Sequence, residues 1–297
     1  MRLLIATAES GSVSAAAAQL GLAQPNASRA LRGLERDLGL PLLLRTPRGS
    51  TVTTEGQVVV NWARGVVDAY ESLVDGIAAL RHRRSGQVSV SASMTVAEYL
   101  VPLWLGRLRQ VHPGVQVSLQ VANSHDVCVA VNAGVVDLGF VESMTLPARI
   151  GHRLLGRDEL TVVVSPDHPW TRRRRPLTTD DLAATPLLVR EPGSGTRESF
   201  DQLLSAATDT DPVAPAQELG SNAAIKVAAV AGMAPAVLSR LAVRDLVDAG
   251  RLVEIPVADL DLHRPLHAVW ATTPRGACAD LLRIAELSRR SGAGRDS

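Results

Sequence analysis

Residues 24 to 36, QPNASRALRGLER, carry hydrogen-bond donors of the kinds that read nucleic acid. Gln24, Asn26, Ser28, Arg29 and Arg32 lie early in a segment whose Leu31 and Leu34 can face a core. Arginine matches the guanine edge, Gln and Asn match adenine, and all of them reach phosphate oxygens. The same pattern also suits an ordinary solvated helix, with Arg29, Arg32 and Arg36 simply in water. Arginine richness does not decide between the two, because every basic residue except Lys226 is an arginine.

A second chemistry recurs further on. Four places join a hydroxyl or an amide to the expected start of a helix: Ser93 with Thr95, Asn123 with Ser124, Ser194 with Thr196, and Ser221 with Asn222. Free N–H groups and the helix dipole attract anions there. Taken singly, each is just a helix cap, but their repeated position after strands points to a small anionic ligand. Glycines flanking Ser194 let the backbone approach a ligand, and Arg190 or Arg197 would add positive charge. The GSGT run has no following Gly-Lys-Ser/Thr, so a nucleoside triphosphate is not expected.

Other chemistries are missing their parts. There is no Gly-x-Ser-x-Gly elbow, no His-Glu-x-x-His and no acid/base cluster, so the chain does not read as an enzyme. Pro265 breaks the spacing of His263 and His267 and no third ligand is evident, so neither a metal nor a cofactor is expected. Cys128 falls on an apolar helix face and reads as a core thiol. The run RRRR at 172 to 175 reads as a solvated loop.

The elements that must hold these groups follow from periodicity. LLIATAES has helical spacing and stops at Gly11; Ser14 is placed to cap AAAAQL and to offer its hydroxyl to a phosphate, and Gly21 stops that helix. Pro25 fits the first turn of the next helix, where its missing N–H costs nothing. LLLR and TVTT, joined through Pro47 to Ser50, form a hairpin that carries Arg45 and Arg48. Helix, tight turn, helix and basic hairpin make a winged helix-turn-helix over residues 1–56. A long helix follows from about Thr54 to Arg83. Its Val59, Ala63, Val66, Tyr70, Leu73, Ile77 and Leu80 are spaced alternately by four and three, the seam of a coiled coil, so pairing with a second copy is expected, with packing on its own chain as the alternative. Residues 57–86, ending in the hinge RHRRSG, form the linker.

From Gln87 strands and helices alternate, which implies parallel sheets covered on both faces. Thr95 with Glu98 reads as a capping box for a helix running to about Val111. Residues 87–297 read as two lobes around a cleft, lobe I at about 87–162 plus 267–290 and lobe II at about 163–266. The fold class is therefore α/β, with an α-rich winged helix-turn-helix in front, a long linker helix and a two-lobed domain.

Composition sets the bounds. The 297 residues carry 46% hydrophobic, 21% charged and 3% aromatic side chains at a net charge of +1, so the whole-chain charge selects no partner. Two distant cysteines suit a reducing cytoplasm. MRLLIATAESGS lacks the apolar core of a signal peptide, and no run approaches a membrane span of about 20 residues. A cytoplasmic, membrane-free protein is expected.

ESGSVSAAAAQLGLAQPNASRALRGLERDLGLPLLLR followed by VTTEG resembles the DNA-binding module of the LysR-type transcriptional regulators. MTVAEYLVP, VHPGVQVSL, VVDLGFVE, DHP and REPGSGTR resemble that family's effector-binding domain. The resemblance implies a periplasmic-binding-protein-like effector domain, with the Ser93–Thr95 and Ser194–Thr196 turns as walls of its cleft. It also implies homodimers or homotetramers on an interrupted palindrome of double-stranded DNA. A small organic or inorganic anion would then alter DNA bending or contact with RNA polymerase. Two departures stand out: Ala23 replaces the usual capping serine or threonine, and leucines in LLLR replace a wing phenylalanine. The family also has several more residues ahead of the first helix. The competing expectation is a two-lobed solute-binding protein or enzyme that uses the N-terminal module only to oligomerise.

Overall fold

The computed structural model describes residues 1–46, 49–83 and 87–292, and the chain divides into two compact units, Met1–Asp75 and Gly76–Ser297. The first contains α1 (Arg2–Ser10), α2 (Val13–Gln19), α3 (Gln24–Leu38), a hairpin of β1 (Leu43–Thr46) and β2 (Gly49–Val52), and α4 (Thr54–Arg83). Leu4, Ala16, Ala17, Ala27, Leu31, Leu42 and Val60 form its core. The cap of α2 is Ser12, whose hydroxyl accepts the Ala15 N–H at 3.3 Å, and Ser14 stands exposed inside the helix. Starting there places Val13, Ala16 and Ala17 on one buried face at i, i+3 and i+4. α3 starts at Ala23 with no side-chain cap and with Pro25 in its first turn.

The hairpin is tied down by a single carboxylate. Glu35 Oε1 accepts the backbone N–H groups of Leu42 at 2.9 Å and Leu43 at 3.1 Å. Gly56 lets α4 pass the hairpin closely, since a Cβ there would lie 2.3 Å from the Leu42 carbonyl oxygen.

α4 divides its apolar residues between two tasks. Ala63 is buried and Val59 packs partly on the unit's own core, whereas Val66 and Tyr70 are more than half exposed. Val58 and Trp62 are exposed beside them, Trp62 at 69%. The free stripe is therefore Val58, Trp62, Val66 and Tyr70; Val66 and Tyr70 belong to the expected seam, and Val58 and Trp62 lie beside it. The side chains of Leu73, Ile77, Leu80 and Arg45, and all of Arg48, lie outside the described residues, as does the hinge at 84–86.

The second unit runs β3 (Val88–Ser93), α5 (Met94–Tyr99), α6 (Val101–Val111), β4 (Val117–Ala122), α7 (Ser124–Asn132), β5 (Leu138–Glu142), β6 (Gly151–Val164), α8 (Thr179–Ala183), β7 (Leu188–Arg190), α9 (Gly195–Ala207), β8 (Gln217–Leu219), α10 (Asn222–Val230), β9 (Ala236–Ser239), α11 (Arg240–Asp248), β10 (Val253–Ile255), β11 (His263–Trp270) and α12 (Ala277–Gly292). Its strands follow the order β4-β3-β5-β11-β6-β9-β7-β8, with β10 also on β6. β3 pairs in parallel with β4 and β5, and β7 with β8 and β9. β6 and β11 run antiparallel to their neighbours, so the sheets are mixed rather than parallel throughout. These two strands connect the lobes, and a chain that leaves one lobe and returns enters each sheet from the opposite end.

Along β6, Gly151 to Glu159 pair with β11 and Leu160 to Val163 pair with β9. The pairing thus changes lobes slightly ahead of the 162–163 boundary expected from the sequence, and β11 enters at His263 rather than 267. Each lobe packs apolar residues on both sheet faces: Trp104, Leu138, Phe140 and Leu281 against Val127, Val131 and Val141 in one, Leu177, Phe200 and Leu204 against Leu188, Ile225 and Val243 in the other. The single helix expected from Thr95 to Val111 is broken at Leu100. Pro102 explains the break, because it lacks the N–H that would continue the α5 ladder.

Replacing Glu35 with Ala removes a charged acceptor from two amides, a loss of about 2 kcal/mol. We expect faster hydrogen exchange at the Leu42 and Leu43 amides with exchange in the second unit unchanged.

Candidate functional site

Gln24, Pro25, Asn26, Arg29 and Arg32 are exposed along the front of α3, while Ala27 and Leu31 face the core. Ser28 differs from the expectation: it is buried, and its hydroxyl accepts from Gln24 Nε2 at 3.1 Å. It therefore aims Gln24 rather than meeting a base itself. Arg32 Nε donates to the Ser28 carbonyl at 3.2 Å, which steadies that side chain too. Further along the same helix Arg29, Arg32 and Arg36 border a hollow of about 650 Å³ that ends at Leu40 and Pro41. α3 thus presents amides first and guanidiniums after them.

In the second unit the four hydroxyl-bearing turns meet across the two lobes. Asn123 caps α7, accepting the Asp126 N–H at 2.8 Å, and Ser124 donates to the Glu142 carbonyl at 3.2 Å. The 193–195 turn lies directly against them: His125 N–H donates to the Gly193 carbonyl at 3.1 Å, and a Cβ on Gly195 would sit 1.9 Å from the Glu142 carbonyl oxygen. Only glycine allows that contact. Ser221 caps α10 through the Ala224 N–H, and Asn222 next to it reaches α5, donating from N–H to Met94 Sδ and from Nδ2 to Glu98 at 3.3 Å. Lys226, the one lysine, donates to Tyr99 Oη at 3.0 Å across the same divide.

Glu98 is therefore not a capping-box partner of Thr95, which lies inside α5. The residue at the N-cap is Ser93, and its buried hydroxyl has no hydrogen-bond partner among the described residues. Thr95, Ser124, Ser194 and Thr196 are buried as well, and Ser194 makes no side-chain cap bond to α9.

The charged residues expected to serve a ligand are already engaged. Arg190 is 2% exposed, pairs with Glu191 and donates to Asn222 Oδ1 at 2.7 Å. Burial is the largest influence on the Glu191 carboxyl and pushes it up, but the Arg190 hydrogen bonds, its own backbone N–H and the charges of Arg190 and Arg197 together hold the group below its usual range. Arg197 bonds the Arg190 carbonyl and Glu218. The decisive cation was not singled out from sequence: Arg264 is 0% exposed. Its guanidinium donates to Asp158 Oδ2 at 2.8 and 2.6 Å, to Glu142 Oε1 at 3.2 Å and to Thr196 Oγ1 at 3.0 Å. Ser239 completes the shell on Asp158 at 2.8 Å. Its only sequence signal is an arginine alternating with apolar residues in a strand that otherwise reads as core.

Other candidate groups settle into structural places. Cys128 is buried, and burial first, then the Glu198 charge, pushes its thiol up to about 11, so it carries almost no thiolate at neutral pH. His267 packs edge-on against His152 at 5.8 Å, and His263 bonds Asp261. Among the described residues no group of three His, Cys, Asp or Glu is placed to hold a metal. Arg172 to Arg175 are exposed, with Arg173 on Asp181. No helix among the described residues is long and apolar enough to cross a membrane.

A helix-turn-helix unit followed by this two-lobed unit can be compared directly with known proteins. The family model for bacterial regulatory helix-turn-helix proteins of the lysR family matches residues 1–57, and the LysR substrate binding domain matches 81–283. The chain belongs to the LysR family of transcriptional regulators. The HTH-type transcriptional regulator Rv2282c of Mycobacterium tuberculosis is 40% identical over 290 residues, spanning 94% of this chain and 93% of that one. The regulatory domain of CcmR from Synechocystis, solved in complex with 2-PG, is similar with a TM-score of 0.60 at 25% identity, over 69% of this chain and 98% of that one. Full-length CbnR, solved with its target DNA, shares the fold at a TM-score of 0.52 and 23% identity, over 98% of this chain and 97% of CbnR. Membership in the LysR family makes the chain a regulator rather than an enzyme, with the first unit as its DNA-binding module and the second as its effector domain.

Arg264→Met strands two buried carboxylates, so we expect a loss of about 3–5 kcal/mol in the effector domain. The unfolding midpoint in urea, followed by tryptophan fluorescence, measures it. Neutralising Glu142 and Asp158 together with Arg264 (Gln, Asn and Met) should recover most of the loss.

Proposed function

We propose that this LysR-family regulator reads its operator with Gln24, Asn26, Arg29 and Arg32 of α3, and that a small oxyanion held by the serine and threonine turns changes that binding. The observation that supports the ligand most directly is the buried hydroxyl of Ser93, which has no partner among the described residues. A buried polar group left without a partner costs free energy, and a ligand oxygen would remove that cost. The N-termini of α7, α9 and α10 open at the same turns and add unsatisfied N–H groups.

Because Arg190, Arg197 and Arg264 all have carboxylate partners, the anion is held by hydroxyls and helix N–H groups rather than by a guanidinium. CcmR was solved with 2-PG, which supports a small ligand in a domain of this fold. Contacts across the turns from both lobes mean that a ligand there changes how firmly the lobes close, and a regulator responds when its ligand prefers one of two states. The stripe Val58, Trp62, Val66 and Tyr70 on α4 supports pairing with a second copy. A homodimer or homotetramer would present paired α3 helices to an interrupted palindrome and place the effector domain for contact with RNA polymerase.

Arg29→Ala should weaken binding to DNA upstream of the protein's own gene by at least about tenfold, with an unchanged circular dichroism spectrum. A gel-shift titration at several salt concentrations tests this, and log affinity should fall linearly with log salt. Unaltered affinity in the variant would remove α3 as the reading helix.

A thermal-shift screen of phosphate, sulfate and small carboxylates tests the ligand. A bound anion at about 100 times its dissociation constant adds about 2.7 kcal/mol of stability. Ser124→Ala and Thr196→Val should each lose that shift while remaining folded.

A further inference from the structure

Asp158, one of the two carboxylates on Arg264, also lines a separate cavity of about 480 Å³ between β6, α11 and β10. That volume falls within the range of about 300–1,000 Å³ typical of small-molecule sites. One wall is fixed by Arg240, whose guanidinium bonds Glu254 at 3.1 Å and Glu159 at 2.5 Å. Two other arginines face the cavity without such partners. Arg157 on β6 and Arg244 on α11 form no ion pair or hydrogen bond among the described residues, and Arg157 acts only through space, on Asp261. Asp248, one turn beyond Arg244 on the same face of α11, also lines the cavity, and its carboxylate has no ion pair or hydrogen bond among the described residues.

We propose that this cavity binds a compact organic dianion that carries a hydroxyl, with a phosphate or carboxylate at each end. Arg157 and Arg244 come from different elements, and each guanidinium can take one planar or tetrahedral anionic group through paired N–H donors. Glu159 and Glu254 repel negative charge near Arg240, which drives the two anionic ends toward Arg157 and Arg244. Asp248 accepts the hydroxyl. The aliphatic faces of Leu241 and Val247 cover the ligand's carbon chain. A single-charge ligand would leave one of the arginines unused and would bind more weakly.

The site also has a route to the effector turns. Arg157 is bonded in sequence to Asp158, which holds Arg264, and Arg264 holds Thr196 at the start of α9. Occupancy here therefore bears on the same lobe junction as the turns, from a different cavity. The inference does not depend on the oxyanion reading of those turns.

Isothermal titration of the full chain with 3-phosphoglycerate, a hydroxyl-bearing carboxylate and phosphate, and with lactate as the single-charge control tests it. We expect saturable binding of 3-phosphoglycerate, at least about tenfold weaker binding of lactate, and at least about tenfold loss in Arg157→Gln/Arg244→Gln. Ser124→Ala, at the turns but without a bond to Arg264, should keep the 3-phosphoglycerate affinity. No saturable binding at millimolar ligand overturns the proposal, as does equal affinity for lactate or an unchanged affinity in the double variant. Loss in Ser124→Ala alone would place the ligand at the turns, supporting the oxyanion reading and overturning this one.

Discussion

A guanidinium taken wholly out of water must recover several kcal/mol from its surroundings, and at Arg264 it does so from three other elements at once. Asp158 belongs to β6, Glu142 to the end of β5, Thr196 to the first turn of α9, and Arg264 itself to β11. Docking any one of these without the others costs stability, because each missing partner leaves a buried charge or hydroxyl uncompensated. The same contacts bring the Asn123–Ser124 and Ser194–Thr196 turns face to face, with Gly195 against the Glu142 carbonyl. Surface pairs such as Arg153–Glu286 have no comparable effect, since exposed ion pairs are worth little. The lobe junction is therefore the place where a small change in contacts has the largest structural consequence.

The DNA-binding unit achieves its geometry with much smaller means. Its core is built from alanine, valine and leucine on three short helices, and one carboxylate, Glu35, fixes the start of the hairpin. α4 closes that core with Val60 and Ala63 and leaves Trp62, Val66 and Tyr70 uncovered. A helix that serves its own unit on one face and offers an apolar stripe on the next couples the DNA-reading module to whatever covers that stripe. Helix propensity alone would not distinguish the two faces; burial does.

Much of this was legible in the residues. Helical spacing, glycine stops and Pro25 placed α1 through α4 correctly, and the order of helix, turn, helix and hairpin was enough to suggest the module. Caps were harder. Ser14 and Ser12 are equally good capping residues by type, and only the burial of Val13 selects Ser12. Thr95 and Glu98 have capping-box spacing, yet Glu98 is used by Asn222 from the other lobe. Periodicity also cannot say which partner a buried face meets: of the expected seam, Ala63 is buried and Val59 packs partly on the unit's own core, while Val66 and Tyr70 are exposed.

What the sequence determined by itself were the local elements, the hydroxyl-bearing turns and the membership of a recognisable family, since these depend on neighbours within a few residues. What only the tertiary structure decided were the pairings across long separations. Arg264 with Glu142 and Asp158, Gly195 against Glu142, and Asn222 with Glu98 join residues more than fifty positions apart. Arg190 and Arg197 looked free to meet a ligand until folding gave them carboxylate partners. A charge's role depends on what desolvates and pairs it, and no local spacing encodes that.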